Sequence, residues 1–371
     1  MNSITIKMLK LKLREKGHSQ ELKKIRLGFY PYAYVRTVVM RSLLFKKDDY
    51  GKMLKMSFGE IAKLLQDSSY KNEIDALAAE YSGSDLLELA LNRSLAASFK
   101  KLMKISSYDI GLVVKEYAMR KDLEDIKAII RGRFTNANEK EIERSLTAAG
   151  SLSREFLTLL LKKESIEEIL KCNGIVDFSL LKGGLKELNE KNSLAAIENA
   201  MDKHYYGHLI KFSGILPKQG RLFREFLLQE AEVLNILTLL RLKRAKLDNA
   251  VIKEFIISSG DKARDSKITG LAAIDDFEKL LKELEKTEYK NAVSKGIEEF
   301  RNRGSLITLE IGLLRHLLGR TLLFTHQHPL SVDTILGYMF AKDMEVRNLR
   351  IIVKGKQLGL SEEFIEGQMV Y

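Results

Sequence analysis

An all-α fold follows from three observations on these 371 residues: only three prolines interrupt the chain, no β-type alternation of useful length occurs outside the short basic segment 4–13, and one amphipathic helix motif recurs three times. With so few helix breakers, long helices are allowed almost everywhere. Self-similarity at a steady interval marks a repeat architecture.

The motif is Asp122-Leu-Glu-Asp125-Ile-Lys-Ala-Ile-Ile-Arg131-Gly-Arg133, then Glu232-Val-Leu-Asn235-Ile-Leu-Thr-Leu-Leu-Arg241-Leu-Lys243, then Glu345-Val-Arg-Asn348-Leu-Arg-Ile-Ile-Val-Lys354-Gly-Lys356. Each copy runs 21 residues from acid to isoleucine, with starts 110 and 113 residues apart. Wound at about 100° per residue, the shared apolar positions form one arc; the opening acid lies inside it and the Asn/Asp three residues on lies at its edge. Asn138, Asp248 and Ser361 each precede an isoleucine by four residues and read as N-caps. A helix, a short turn and a second helix result.

Taken in order, residues 1–29 read as a basic arm. Tyr32 to Leu44 forms a helix with Val35, Val38, Val39 and Leu43 on one face, and 46–49 form a polar turn. Ile61-Ala-Lys-Leu-Leu is a short amphipathic helix with counterparts at Ile166-Glu-Glu-Ile-Leu and Phe277-Glu-Lys-Leu-Leu, and Ser69-Tyr70-Lys71-Asn72 returns as Glu288-Tyr289-Lys290-Asn291. A second motif follows each: Leu87-Glu88 with Asn92-Arg93, Ile197-Glu198 with Asp202-Lys203, and Ile297-Glu298 with Asn302-Arg303. Breakers at Ser106-Ser107, Pro217 and Pro329 precede the next copy of the first motif. The expected organisation is three similar lobes, 30–116, 117–226 and 227–338. A helix pair at 339–371 restarts the unit and is expected to pack on the first lobe, which has Tyr32–Leu44 in place of a Glu-x-x-Asn helix.

Partly buried polar groups need partners, since each one left unpaired costs about 1–3 kcal/mol. The recurring residues Glu88, Asn92, Asp122, Asp125, Arg131, Glu198, Asp202, Glu232, Asn235, Arg241, Glu298, Asn302, Glu345, Asn348 and Lys354 fit two roles. They either tie helix to helix within a lobe or line an inner surface met by a partner. Glu198 with Arg131 or Arg241 is the obvious pairing.

The net charge of +12 is unevenly spread: residues 1–56 hold 14 Lys/Arg against 4 Asp/Glu, which leaves the rest nearly neutral. Such an end suits a solvated arm or a surface facing anionic lipid, with Lys46, Lys47, Lys52 and Lys55 as membrane-side candidates. Tyr30, Tyr32 and Tyr34 among bases fit an interface or the core better than nucleic-acid stacking. The single Cys172 excludes an internal disulfide and points to a reducing compartment. No run reaches the roughly 18 apolar residues of a membrane span, and Lys7, Lys10, Lys12 and Arg14 break any secretory core.

Catalytic signatures are missing. Lys182-Gly-Gly and Lys354-Gly-Lys356 are short Gly/Lys clusters, not a phosphate loop. His204 and His208 have zinc-pair spacing without the accompanying glutamate, and His326 with His328 falls in an expected loop. No enzyme, metal, cofactor or nucleic-acid partner is predicted.

The chain from about residue 30 onward resembles the C subunit of the archaeal and bacterial V-type (A-type) rotary ATPases, the counterpart of the d subunit in vacuolar proton pumps. Tyr32-x-Tyr34-x-Arg36 with Leu43-Leu44, Leu64-Leu65 followed by Tyr70, Glu88-x-x-x-Asn92, and Glu345-x-x-Asn348-Leu-x-x-Ile with Lys354-Gly-Lys356 carry the likeness. It implies a three-lobed helical funnel with pseudo-threefold symmetry and a central hollow. Such a protein is a peripheral, non-catalytic rotor adaptor on the cytoplasmic face of the membrane. Its implied partners are the proteolipid ring and the D and F subunits of the central shaft, with anionic headgroups as a further contact. The rival class is a soluble helical-repeat scaffold or chaperone.

Overall fold

The computed structural model describes residues 27–28, 30–327 and 330–371, with Gln219 and 324–327 described by backbone alone. The basic segment 4–13, His328 and Pro329, and the side chain of His326, lie outside the described residues. Helices account for all regular structure among them.

The first group of helices is α1 (Pro31–Ser42), α2 (Lys47–Lys55), α3 (Phe58–Gln66), α4 (Lys71–Leu77) and α5 (Gly83–Ile105). Six follow: α6 (Tyr108–Phe134), α7 (Glu139–Ser145), α8 (Arg154–Leu161), α9 (Ile166–Cys172), α10 (Phe178–Lys191) and α11 (Ala195–Gly214). After a 3-10 turn at Lys218–Gly220 the order of two long helices enclosing four shorter ones returns as α12 (Arg221–Arg244), α13 (Asn249–Phe255), α14 (Lys262–Ala272), α15 (Phe277–Leu284), α16 (Lys290–Arg303) and α17 (Ile307–Gln327). The chain ends with α18 (Val332–Gln357) and α19 (Glu362–Gly367).

Local chemistry sets these boundaries. Asn138 caps α7 by accepting from Lys140 N at 2.9 Å, and Ser361 caps α19 by accepting from Phe364 N at 3.3 Å. Asp248 stands at the N-cap of α13 but makes no side-chain cap bond. The expected polar turn at 46–49 is instead the start of α2, where Asp49 accepts from Lys46 N at 2.8 Å and puts negative charge on a helix N-terminus. The lobe boundaries expected at 116/117, 226/227 and 338/339 fall inside α6, α12 and α18. The chain turns earlier, at 106–107, 215–220 and 330–331, because the apolar stripe of each long helix extends well upstream of the motif.

Pairs of helices cross closely where a glycine removes the Cβ. A side chain at Gly296 would run into the backbone of Leu309, and one at Gly184 would stand 2.8 Å from Ile197 N. This packs α16 on α17 and α10 on α11.

The centre of the molecule is α18. It packs on α5, α1 and α3 from the start of the chain, on α6 and α12 through the middle, and on α17. Most of its residues are buried. The helix pair that restarts the unit therefore completes the N-terminal group, supplying the Glu-x-x-Asn helix that this group lacks. On α1 the buried residues are Ala33, Thr37 and Met40, whereas Val35, Val39 and Leu43, which the periodicity suggested as an inner face, are exposed. The smaller face wins because it lies against α18 and α5.

Candidate functional site

The acid that opens the motif is buried in all three copies, and a different element meets it each time. Asp122 accepts from Ser151 N, Leu152 N and the Ser151 hydroxyl, each at 2.8 Å. Glu232 pairs with Lys267 at 2.8 Å and Arg264 at 3.2 Å. Glu345 accepts from Phe45 N and the Tyr70 hydroxyl at 2.6 Å and from the Lys342 ammonium at 2.7 Å. Lys342 also lies 4.1 Å from the Tyr70 ring centroid, as Lys267 lies 5.3 Å from that of Tyr289. Burial pushes the Asp122 carboxyl up, against the hydrogen bonds from Leu152 and Ser151.

Three residues on, one reach recurs. Asn235 accepts from Ile257 N and donates to Ile257 O, both at 2.8 Å. Asn348 does the same to Val370, at 2.8 and 2.6 Å. Asp125 has no donor, so it takes Thr147 N and Ala148 N at 2.8 Å with the Thr147 hydroxyl. Burial, opposed by those same bonds, pushes its carboxyl up to about 6. In every copy this side chain holds the extended segment that follows the short second helix. These six acids and amides are bonded within the chain and closed to solvent.

The base nine residues after the acid stays largely exposed and pairs with a glutamate on the next long helix. Arg131 binds Glu198 through two bonds of 2.6 and 2.7 Å, Arg241 binds Glu310, and Lys354 lies 2.9 Å from Glu88. Of the two partners considered for Glu198, the structure takes Arg131. Asp202 pairs with Lys127 at 2.5 Å, and Asn92 accepts from Arg350 at 2.6 Å while donating to Arg144 O at 2.8 Å.

Glu298 and Asn302 are corrected. Both are exposed on α16, and the third copy of the second motif is Leu309-Glu310 at the start of α17. The slip arises because Ile297-Glu298 copies the spacing, while the true copy has Leu314 where the others have Asn92 and Asp202. The matching position of α12 is Leu237, so both places that are polar in the other copies are apolar here.

One group escaped the sequence reading. Arg120, Glu230 and Asp343 each precede a motif acid by two residues, on α6, α12 and α18, and they meet. Arg120 reaches Glu230 and Asp343 at 2.5 Å each, and Lys121 reaches Asp343 at 2.6 Å. The guanidinium lies over the rings of Tyr117 and Phe340. Burial alone would push both carboxyls up. It does so at Glu230 in spite of Arg120, whereas Lys121 and Arg120 together hold Asp343 below its ordinary value. A charged residue at one offset of three apolar helices was the available signal.

Leu27 lies beside Gly220 in the turn before α12 and Tyr30 N donates to Leu330 O in the turn before α18, whereas α2, with Lys46, Lys47, Lys52 and Lys55, lies at the far end of α18. There Lys356 donates to Leu54 O and Lys47 lies 5.6 Å from the Tyr371 ring centroid. From Val332 to Lys356 the helix rises about 36 Å.

His208 sits 2.7 Å from Glu116, and Cys172 is exposed at the end of α9. Among the described residues no group of three or more His, Cys, Asp or Glu could hold a metal ion, and no helix is long and apolar enough to cross a membrane.

A helical body with one motif in three copies and its recurring polar residues tied to one another defines a repeat-built, all-α protein. A family model for the ATP synthase (C/AC39) subunit matches residues 33–368, and the chain belongs to that family. Its relatives include the A-type ATP synthase C subunit of Methanosarcina acetivorans, 35% identical over 96% of this chain and 97% of that one. The same protein of Methanococcoides burtonii is 36% identical over 92% and 94%, and that of Halobacterium salinarum 31% identical over 92% and 97%.

Proposed function

We propose that the chain is the non-catalytic central-stalk component that joins the rotating shaft, made of the D and F subunits, to the proteolipid ring, and so couples ATP hydrolysis or synthesis to ion movement. The observation that carries this reading is the set of three matched pairs, Arg131 with Glu198, Arg241 with Glu310 and Lys354 with Glu88. They link α6 to α11, α12 to α17 and α18 to α5, so the last link returns to the first group. A closed cycle of three similar helix pairs gives a body with pseudo-threefold character, which suits a round partner at one end and an axial one at the other.

In this reading the three lobes surround a hollow at the end away from the turns. The Arg120 cluster closes the axis, and the exposed bases Arg131, Arg241 and Lys354 are contact points for the shaft. The protein is peripheral, at the cytoplasmic face of the membrane. The test is a bridging assay with detergent-solubilised proteolipid ring and the isolated shaft pair. The chain should co-elute with both at once, and Arg131→Ala/Arg241→Ala/Lys354→Ala should weaken shaft binding about tenfold while leaving the fold intact. Co-elution with neither partner overturns the reading.

A further inference from the structure

Where α18 turns into α19, an open groove of about 260 Å³ lies between the two helices. Gly355 and the buried Ile365 form its floor: a Cβ on Gly355 would stand 2.6 Å from the Ile365 side chain, so the helices touch there. Leu358, Leu360 and Phe364 rise around it and are 71, 40 and 54% exposed. Large apolar side chains gathered at one exposed place mark a contact surface. The space is smaller than a drug-sized site and suits one or two side chains of a protein partner.

The other two copies of this helix pair carry different side chains there. Leu358, Leu360 and Phe364 are matched by Thr135, Ala137 and Glu141 in the first copy and by Ala245, Leu247 and Val251 in the second. Leu242 stands in the second copy where the glycine stands in the third. Charge differs as well. Lys127 of the first copy pairs with Asp202 at 2.5 Å, and the second has Leu237 at that place. In the third, Arg350 donates to the neutral amide of Asn92 at 2.6 Å. Arg350 and the half-exposed Lys354 both border the groove. An apolar groove edged by two bases fits an apolar side chain flanked by carboxylates.

We propose that this groove is a keyed docking site for the axial shaft: it takes a large apolar side chain from an acidic helix of that partner, and it does so at the third copy alone. This role rests on the adaptor reading, in which Lys354 meets the shaft, and it fixes the angle at which the shaft sits. Three bases in matched positions, Arg131, Arg241 and Lys354, would hold an axial partner in three nearly equivalent ways. Burying one side chain the size of leucine or phenylalanine at one copy favours one of them by about ten- to a hundredfold. Arg350 and Lys354 select for acid beside that side chain and speed the encounter.

The test uses the full chain and the isolated shaft pair. Leu358→Thr/Phe364→Glu gives the third copy the residues that the first already carries at these exposed places, so the fold is kept, and an unchanged Tm checks this. Shaft binding should fall at least about tenfold. A spin label on the exposed Cys172 and another at a fixed site of the shaft should give a single distance in the parent complex and several in the variant. Thr135→Ala/Leu247→Ser, at matching places of the other copies, should leave both readouts as in the parent. Arg350→Gln should make binding less sensitive to salt.

Full binding or a retained single distance in the groove variant overturns the proposal, as does equal loss from the Thr135/Leu247 variant. Self-association of the parent that the groove variant loses also overturns it and assigns the groove to a second copy of this chain. A parent that binds the shaft at several distances removes this role alone. A parent that does not bind the shaft removes the adaptor reading as well.

Discussion

The Tyr70 hydroxyl donates to Glu345 at 2.6 Å across 275 residues of sequence. This buried bond joins α3 and α4 near the start of the chain to α18 near its end, and Lys342 braces both partners. Removing one side leaves a buried carboxylate short of a donor. Tyr70→Phe should lower unfolding free energy by about 1–3 kcal/mol in urea titrations, with the slope of the transition unchanged.

Truncation after Ala341 removes most of α18 and all of α19, the helix pair that completes the N-terminal group. The expected outcome is loss of a single cooperative melt and a marked fall in helicity by circular dichroism. A truncated chain with the parent's helicity and Tm would mean that α18 closes nothing.

Among the described residues, Arg120 is the one cation that bonds both Glu230 and Asp343. Arg120→Met should cost about 3–5 kcal/mol at neutral pH, because buried Glu230 loses its ion-pair partner and Asp343 is left with Lys121 alone. Part of that loss should return in mild acid, where protonation discharges the stranded carboxylates. Chemical denaturation of parent and variant at the two pH values checks this.

Asp125 gives a pH signature. Its folded value of about 6 lies above the ordinary carboxylate range, so its favourable contribution is full below about pH 4 and is lost as pH rises through 6. Asp125→Asn, the residue standing at the other two copies, has no proton to lose. The parent should therefore lose up to roughly 3 kcal/mol relative to the variant between about pH 4 and 7, read from urea midpoints.

Gly150 touches the Asp122 carboxylate so closely that an added Cβ would overlap it. Gly150→Ala should displace the acid from Ser151 and Leu152 and cost about 2–3 kcal/mol, measured by thermal or urea unfolding.

The all-α class, the first motif and the helix that closes the chain were legible because periodicity, caps and a common spacing agree there. The partners of the motif acids were not. Asp122 is met by a loop, Glu232 by α14 and Glu345 by a tyrosine from the other end, so no shared sequence announces them. The third copy of the second motif was misread at Glu298 because Leu314 has dropped the polar residue that marks the others. Val35 and Val39 misled in the opposite sense: apolar periodicity predicts a buried face, and on α1 the face that packs is the one with Ala33, Thr37 and Met40.

Arg120, Glu230 and Asp343, which meet inside the protein, hold equivalent places in three copies of the helix yet differ in sign. A ring of three identical protomers could not do this: it would bring three arginines or three acids together, and each choice repels itself. Only by fusing the copies into one polypeptide can each diverge separately, so that a cation meets anions where symmetry would demand like charges. The price of that freedom is commitment. Once the three places have specialised, no copy can be exchanged for another, and the fold has been made dependent on one chain order.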